Sequence, residues 1–261
     1  MLKMSFVQVA AKAALLCAVT SASVAGAAEP MITEGFREDF TAPKLNTRRW
    51  YVSDGWTNGA HQDCYWAKSA VSISDGILNL SHVPGTDTAR PECAEVQLRG
   101  LIHYGTIEAR ISAPVASGLN ASVFTYTGPA QGTRHDEIDI EVLTRHTDRV
   151  DFNTFVDGKA MNGENAPLSP PLDEAYHDVA IQWTPEAIVW FVDGREVHRT
   201  PDGATLPDLP QKLMMSYWST TNLTDWMGKQ GPRSGKLDYR IDWIAYTPPT
   251  QRCLFEGSIT C

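Results

Sequence analysis

From Glu137 to Val142, acidic and aliphatic residues alternate without a break: Glu137-Ile138-Asp139-Ile140-Glu141-Val142. A helix would scatter these side chains around its axis, whereas a strand sends alternate residues to opposite faces. The run predicts a strand over residues 136–143. Ile138, Ile140 and Val142 then pack into a core, while Glu137, Asp139 and Glu141 stand on the other face. Exposed acidic rows occur on solvated strands, but like charges this close destabilise a sheet, so the row calls for a purpose.

The rest of the chain agrees with a β protein. Asp75-Gly76 and Asp193-Gly194 each separate two short apolar runs, 71–74 from 77–80 and 188–192 from 196–198, which is a hairpin signal. Further strands are expected at 94–101, 104–112, 121–127, 149–156, 176–184, 212–219 and 237–247. Residues 29–48 read as an irregular leading segment, and the Asn/Gly/Pro-rich stretch 158–174 and residues 201–210 read as surface loops. No segment after residue 28 holds a 3.6-residue apolar period with helix caps. So many short strands, with eight Trp, eight Tyr and eight Phe to fill a core, predict one β-sandwich of the jelly-roll, concanavalin-like kind with a concave cleft.

Residues 1–28 stand apart. Lys3 and Lys12 flank a short Ala/Leu/Val-rich stretch, and Ala25-Gly26-Ala27-Ala28 offers small residues for cleavage, the pattern of a secretory signal peptide. The expected domain is residues 29–261, exported to the periplasm or the medium. Without the leader, 20 basic face 31 acidic residues, a net charge of −11. Such a chain is repelled by nucleic acid and by an anionic membrane, so neither is an expected partner, and a monomer is expected. Export permits disulfides. The four remaining cysteines admit three pairings; Cys253 and Cys261 can close a short loop in the tail 249–261, which leaves Cys64 with Cys93. No C-x-x-C or H-E-x-x-H occurs, so no zinc site is expected.

Two carboxyl groups facing one cleft are what hydrolysis of a glycosidic bond requires, one attacking the sugar and the other protonating the leaving oxygen. Glu137 and Glu141 lie about 13 Å apart along an ideal strand, so their side chains must lean together. Asp139 between them is expected to hold a proton and hydrogen-bond the nucleophile, and mutual repulsion to raise the pKa of the acid.

Thr125-Tyr126-Thr127-Gly128-Pro129 followed by Asp136-Glu137-Ile138-Asp139-Ile140-Glu141 resembles glycoside hydrolase family 16, particularly the bacterial lichenases, from about Phe36 to Pro248. The resemblance implies a retaining endo-β-glycanase with Glu137 as nucleophile, Asp139 as its assistant and Glu141 as acid/base. It also implies sugar contacts from Trp56 and Asn58 in Asp54–Gly59, from Glu95 in Cys93-Ala94-Glu95, and from Asn153, Phe155, Trp218 and Trp226. Cys64 and Cys93 match the half-cystines of the family disulfide. Trp183, Trp190 and Trp243 lie in apolar strands and are expected in the core.

The chain also departs from the lichenase pattern. Gln97, Phe155, Ser216 and His135 stand where an Arg, a Tyr, an Asn and an aromatic residue are usual. In this respect it resembles more closely the exopolysaccharide-cleaving endoglycanases of rhizobial type, so a branched exopolysaccharide such as succinoglycan is the expected natural substrate, with mixed-linkage glucan as a usable one. Laminarinase-type relatives carry an extra residue, E-x-D-x-x-E, that makes a bulge; strict alternation here implies cleavage of a β-1,4 bond in a backbone with β-1,3 bonds. An acid-substituted polymer needs a locally basic cleft, for which Arg99, Arg134 and Arg145 are candidates. No cofactor is expected for catalysis. A structural Ca²⁺ is implied at Asp242, with the Gly76 carbonyl and a carbonyl near Asp39 completing its oxygen ligands. Two other functions share these features. One is a non-catalytic lectin-like module. The other is a xyloglucan-type transglycosylase, which carries H-D-E-I-D-x-E and a tail disulfide but a C-terminal extension longer than 249–261.

Overall fold

The acidic run forms a strand with the bounds expected, and two antiparallel sheets are built around it. The computed structural model describes residues 29–261, so the leader expected at 1–28 lies outside the described residues. The strands are β1 (Phe36–Glu38), β2 (Trp50–Val52), β3 (Tyr65–Trp66), β4 (Val71–Ser74), β5 (Ile77–His82), β6 (Glu92–Leu98), β7 (Gly105–Ser112) and β8 (Leu119–Thr127). They continue with β9 (Asp136–Leu143), β10 (Arg149–Val156), β11 (Lys159–Pro167), β12 (His177–Trp183), β13 (Ile188–Val192), β14 (Arg195–Arg199), β15 (Lys212–Ser219) and β16 (Leu237–Thr247). One sheet runs β11-β10-β9-β8-β15-β6-β2 with β3 beside β6, and the other runs β14-β13-β12-β7-β16-β5-β4 with β1 beside β16.

Ile138, Ile140 and Val142 pack between the sheets with Val150, Phe152, Leu213 and Met215 from the first and Ile181, Trp183, Trp190 and Ile241 from the second. The indole of Trp190 also donates a 3.0 Å hydrogen bond to the Asp139 carbonyl, so the second sheet braces β9 from beneath. Trp243 is buried too, but under the C-terminal tail, with Phe255 at 5.3 Å and the Arg37 guanidinium 4.6 Å over its ring. The tail is closed by Cys253–Cys261 and clipped to Glu108 through Ser258 Oγ and the Ile259 amide.

Two expectations about loops are corrected. Residues 158–174 are not all loop, because Lys159–Pro167 pairs along the edge of the first sheet with β10. Its sequence, Lys-Ala-Met-Asn-Gly-Glu-Asn-Ala-Pro, is polar because only Ala166 is buried; pairing to β10, not a hydrophobic face, makes it a strand. The turn Asp157-Gly158, with φ of +51° and +73°, carries the same Asp-Gly signal as the other two hairpins. Within the leading segment, Phe36–Glu38 forms β1 because Phe36 is buried against Trp50 and Tyr246. Residues 201–210 are irregular, as expected. Among the described residues no helix is long and apolar enough to cross a membrane.

Of the donors expected to bind calcium, the one carboxylate, Asp242, faces a guanidinium. Asp242 lies at an irregularity in β16, with its carboxylate 3.4 Å from Arg110 Nε, and Asp39 holds Arg37 at 2.7 Å. Arg110 also donates to Asp178 at 2.9 Å, so its guanidinium bridges two carboxylates. No group of three or more His, Cys, Asp or Glu suited to a metal occurs among the described residues.

Candidate active site

Registry across the first sheet assembles the site. Asp139 stands between Phe124 on β8 and Asn153 on β10, and the row extends through Met214 to Gln97. Glu141 stands between Ser122 and Asp151, in a row that reaches Ser216 and Glu95. Glu137 stands between Tyr126 and Phe155. No irregularity breaks the pairing of β9 with either neighbour, so Glu137, Asp139 and Glu141 share one face. That face is the floor of a cleft of about 640 Å³.

The cleft brings together all thirteen residues expected for catalysis and sugar contact: Glu137, Asp139, Glu141, Trp56, Asn58, Glu95, Gln97, His135, Asn153, Phe155, Ser216, Trp218 and Trp226. Trp56 and Trp226 are 39% and 37% exposed, so each has indole surface free to lie against a sugar ring. The carboxyl groups differ sharply. Asp139 is 3% exposed, and burial, then the charges of Glu137 and Glu141 and a hydrogen bond with Glu137, hold its pKa well above the usual carboxylate range. Glu141 is pushed up to about 8, by burial first and by Glu137 and Asp151 after it, against a 2.7 Å hydrogen bond donated by Asn120 Nδ2 that lowers it. Burial thus outweighs the mutual repulsion expected from sequence as the cause. Glu137 Oε2 lies 2.5 Å from His135 Nε2, and the His135 pKa is raised by that contact.

Several floor residues are already bonded to one another. Glu95 Oε1 accepts from Ser53 Oγ at 2.6 Å and from Gln97 Nε2 at 2.7 Å, and burial raises the Glu95 pKa. The hydroxyls of Ser216 and Ser122 meet at 2.8 Å. On the wall, Cys64–Cys93 is buried with Trp66 and Trp218, and backbone bonds Trp66 N–Trp56 O and Gly55 N–Trp66 O tie the Trp56 loop to it.

The basic cleft that an acid-substituted polymer would need is not formed. Arg99 donates to the Thr47 and Trp50 carbonyls, Arg134 to Asp136 and Asp208, and Arg145 to the Asp225 carbonyl. No Lys or Arg lines the cleft among the described residues. A second hollow of about 520 Å³ shares Glu141, Asn153 and Trp226 with it and runs over β10 and β11 past Asp151, Asn162 and Glu164, also without a basic residue.

Sequence reasoning missed Asn120, Asp151, His61 and the β8 residues Ser122, Phe124 and Tyr126. Asn120-Ala121-Ser122-Val123 does alternate polar with apolar, but the expected strand began one residue too late to include Asn120. Phe124 and Tyr126 carry no local sign of which face they take, because aromatic residues serve either face.

Comparison with known proteins agrees with this geometry. Residues 58–245 match Glycosyl hydrolases family 16. The chain is 40% identical over 229 residues to the endo-1,3-1,4-beta-glycanase ExoK of Rhizobium meliloti, covering 87% of this chain and 84% of that protein. It superposes on the beta-glucanase of Bacillus licheniformis with a TM-score of 0.77 at 32% identity, covering 82% of this chain and 98% of that one. It superposes on a lichenase from a mouse hindgut metagenome with a TM-score of 0.76 at 34% identity, covering 82% and 99%.

Proposed function

The chain belongs to glycosyl hydrolase family 16, and from that premise we propose that this glycoside hydrolase is an exported endo-1,3-1,4-β-glycanase working with retention of configuration. One observation carries the reading: a single cleft floor holds Glu137, Asp139 and Glu141 with Glu141 pushed up to about 8, so an acid and a nucleophile coexist at neutral pH. Glu141 donates its proton to the departing glycosidic oxygen while Glu137 attacks the anomeric carbon. Asp139, protonated, hydrogen-bonds Glu137. Water then attacks the glycosyl ester with Glu141 as base, so two inversions give net retention. Export is supported by the leader pattern and by the two disulfides, which persist in oxidising compartments.

The unbroken register of β9 supports cleavage of a β-1,4 bond in a chain that also contains β-1,3 bonds. The absence of Lys and Arg from the cleft lining favours a neutral backbone there. A branched exopolysaccharide such as succinoglycan fits this reading as the natural polymer if its acidic substituents stay outside the cleft. Incubation with lichenan, laminarin, cellulose, agarose and succinoglycan, followed by reducing-end assay, tests it. Release is expected from lichenan and succinoglycan and not from laminarin. Fast laminarin cleavage with no action on lichenan or succinoglycan would overturn the linkage assignment, and release from lichenan alone would remove succinoglycan.

The acid must be protonated to act, so kcat/KM should fall as pH rises through about 8. Asp151 raises the Glu141 pKa and Asn120 lowers it. Asp151→Asn should therefore move the alkaline limb to lower pH, and Asn120→Ala to higher pH. A limb that shifts the same way in both variants would show that Glu141 does not set it.

A further inference from the structure

His135 lies two residues before Glu137, just ahead of β9, where an aromatic ring lying against substrate is all the resemblance requires. The structure gives it a more specific setting. Its ring is stacked on Phe155 at 5.0 Å with an interplanar angle of 14°, and Tyr126 lies 5.1 Å away at 55°. Its backbone carbonyl accepts from the Gly158 amide at 2.9 Å. The next residue, Asp136, is buried and receives Arg134 on both oxygens, the Asp157 amide on one and the Asp208 amide on the other. The imidazole is thus held from two neighbouring strands and a hairpin turn, with Nε2 2.5 Å from Glu137 Oε2.

We propose that His135 is a positioning residue for the glycosyl ester: it donates Nε2–H to Glu137 and favours the step in which Glu137 departs as a carboxylate. The proposal rests on Glu137 being the nucleophile. An ionised carboxylate has only lone pairs to offer, so the imidazole must be the donor in this contact. The bond is stronger to a carboxylate than to an ester, because charge-assisted hydrogen bonds are the strong ones. When water attacks the anomeric carbon, its proton passes to Glu141, the ester C–O bond breaks, and the electron pair returns to Glu137 beside the waiting N–H. His135 gives up no proton in this cycle. It stabilises the leaving carboxylate and, by the same interaction, opposes its attack, so its effect falls on breakdown of the intermediate.

The test uses 2,4-dinitrophenyl β-laminaribioside, whose leaving group needs no acid, so that breakdown limits turnover. Compared with the wild type, His135→Phe keeps the stack on Phe155 and loses the donor. It should lower kcat about 10–100-fold, lower KM in parallel as the intermediate accumulates, and release a burst of one dinitrophenolate per active site. His135→Gln retains an amide donor and should recover part of kcat, which guards against a fold defect in the Phe variant. A rise in KM with kcat unchanged would show a plain sugar contact and overturn the proposal, as would a fall in kcat without a burst. A 2-deoxy-2-fluoro glycoside should label Glu137 in the wild-type enzyme, located by peptide mass mapping. A label found elsewhere would overturn the nucleophile assignment itself, independently of how the His135 variants behave.

Discussion

Glu137→Gln is expected to yield a folded, disulfide-bonded protein whose turnover on lichenan is reduced on the order of 10⁴-fold or more. An amide cannot form the glycosyl ester, yet its oxygen can still meet His135, and its volume matches the carboxyl group it replaces. Glu137 is partly exposed and makes no contribution to the apolar layer beneath, which is filled by Ile138 and Ile140. The melting temperature should accordingly stay near that of the wild type while activity disappears. The partner experiment fixes the division of roles. Glu141→Ala removes the proton donor and opens space beside Asn120 and Asp151. Small anions can occupy that space, so azide should restore part of the turnover on an activated substrate and give a β-glycosyl azide. An α-azide, or near-normal hydrolysis by Glu137→Gln, would reverse or remove the assignment.

The second large effect is on stability. Cys64 and Cys93 are 29 residues apart, and closing a loop of that length restricts the unfolded chain by about 3–4 kcal/mol in the chain-entropy model. The paired substitution Cys64→Ala with Cys93→Ala should cost that much in a denaturant titration. The bridge sits under Trp66 and Trp218, and Trp66 carries the Trp56 loop. KM for lichenan should therefore rise as the wall loosens, with kcat less affected. The tail bridge spans 8 residues far from the cleft wall, so Cys253→Ala with Cys261→Ala should leave KM alone. Equal effects of the two pairs on KM would show that the wall does not depend on Cys64–Cys93.

Elements whose side chains alternate strongly were legible in advance. β9, β10, β15 and β16 have the bounds expected because one face of each is apolar and the period of two marks it. β11 was not legible: an edge strand with one buried residue has no hydrophobic period, and the Asp157-Gly158 turn was the sole local sign of it. The acidic row was legible as a site because three like charges on one face need a reason. Its support was not, because that comes from distant residues: Asn120 is 21 positions from Glu141, Trp190 is 51 from Asp139, and Ser53 is 42 from Glu95.

By itself the sequence determined that this chain forms β strands with two unlike faces, that one of them carries a row of carboxyl groups, and that aromatic residues suited to sugar accompany it. These are local properties, set by side-chain alternation and turn chemistry within about ten residues. The tertiary structure alone decided that burial, more than repulsion, raises the Glu141 pKa, and that the cleft is not basic. A pKa depends on burial and on charges brought close by strand pairing, and pairing placed Asp151 and Asn120 beside Glu141 while drawing Arg99, Arg134 and Arg145 into bonds elsewhere. Strand registry is a long-range choice made by the whole sheet, and no single segment encodes it.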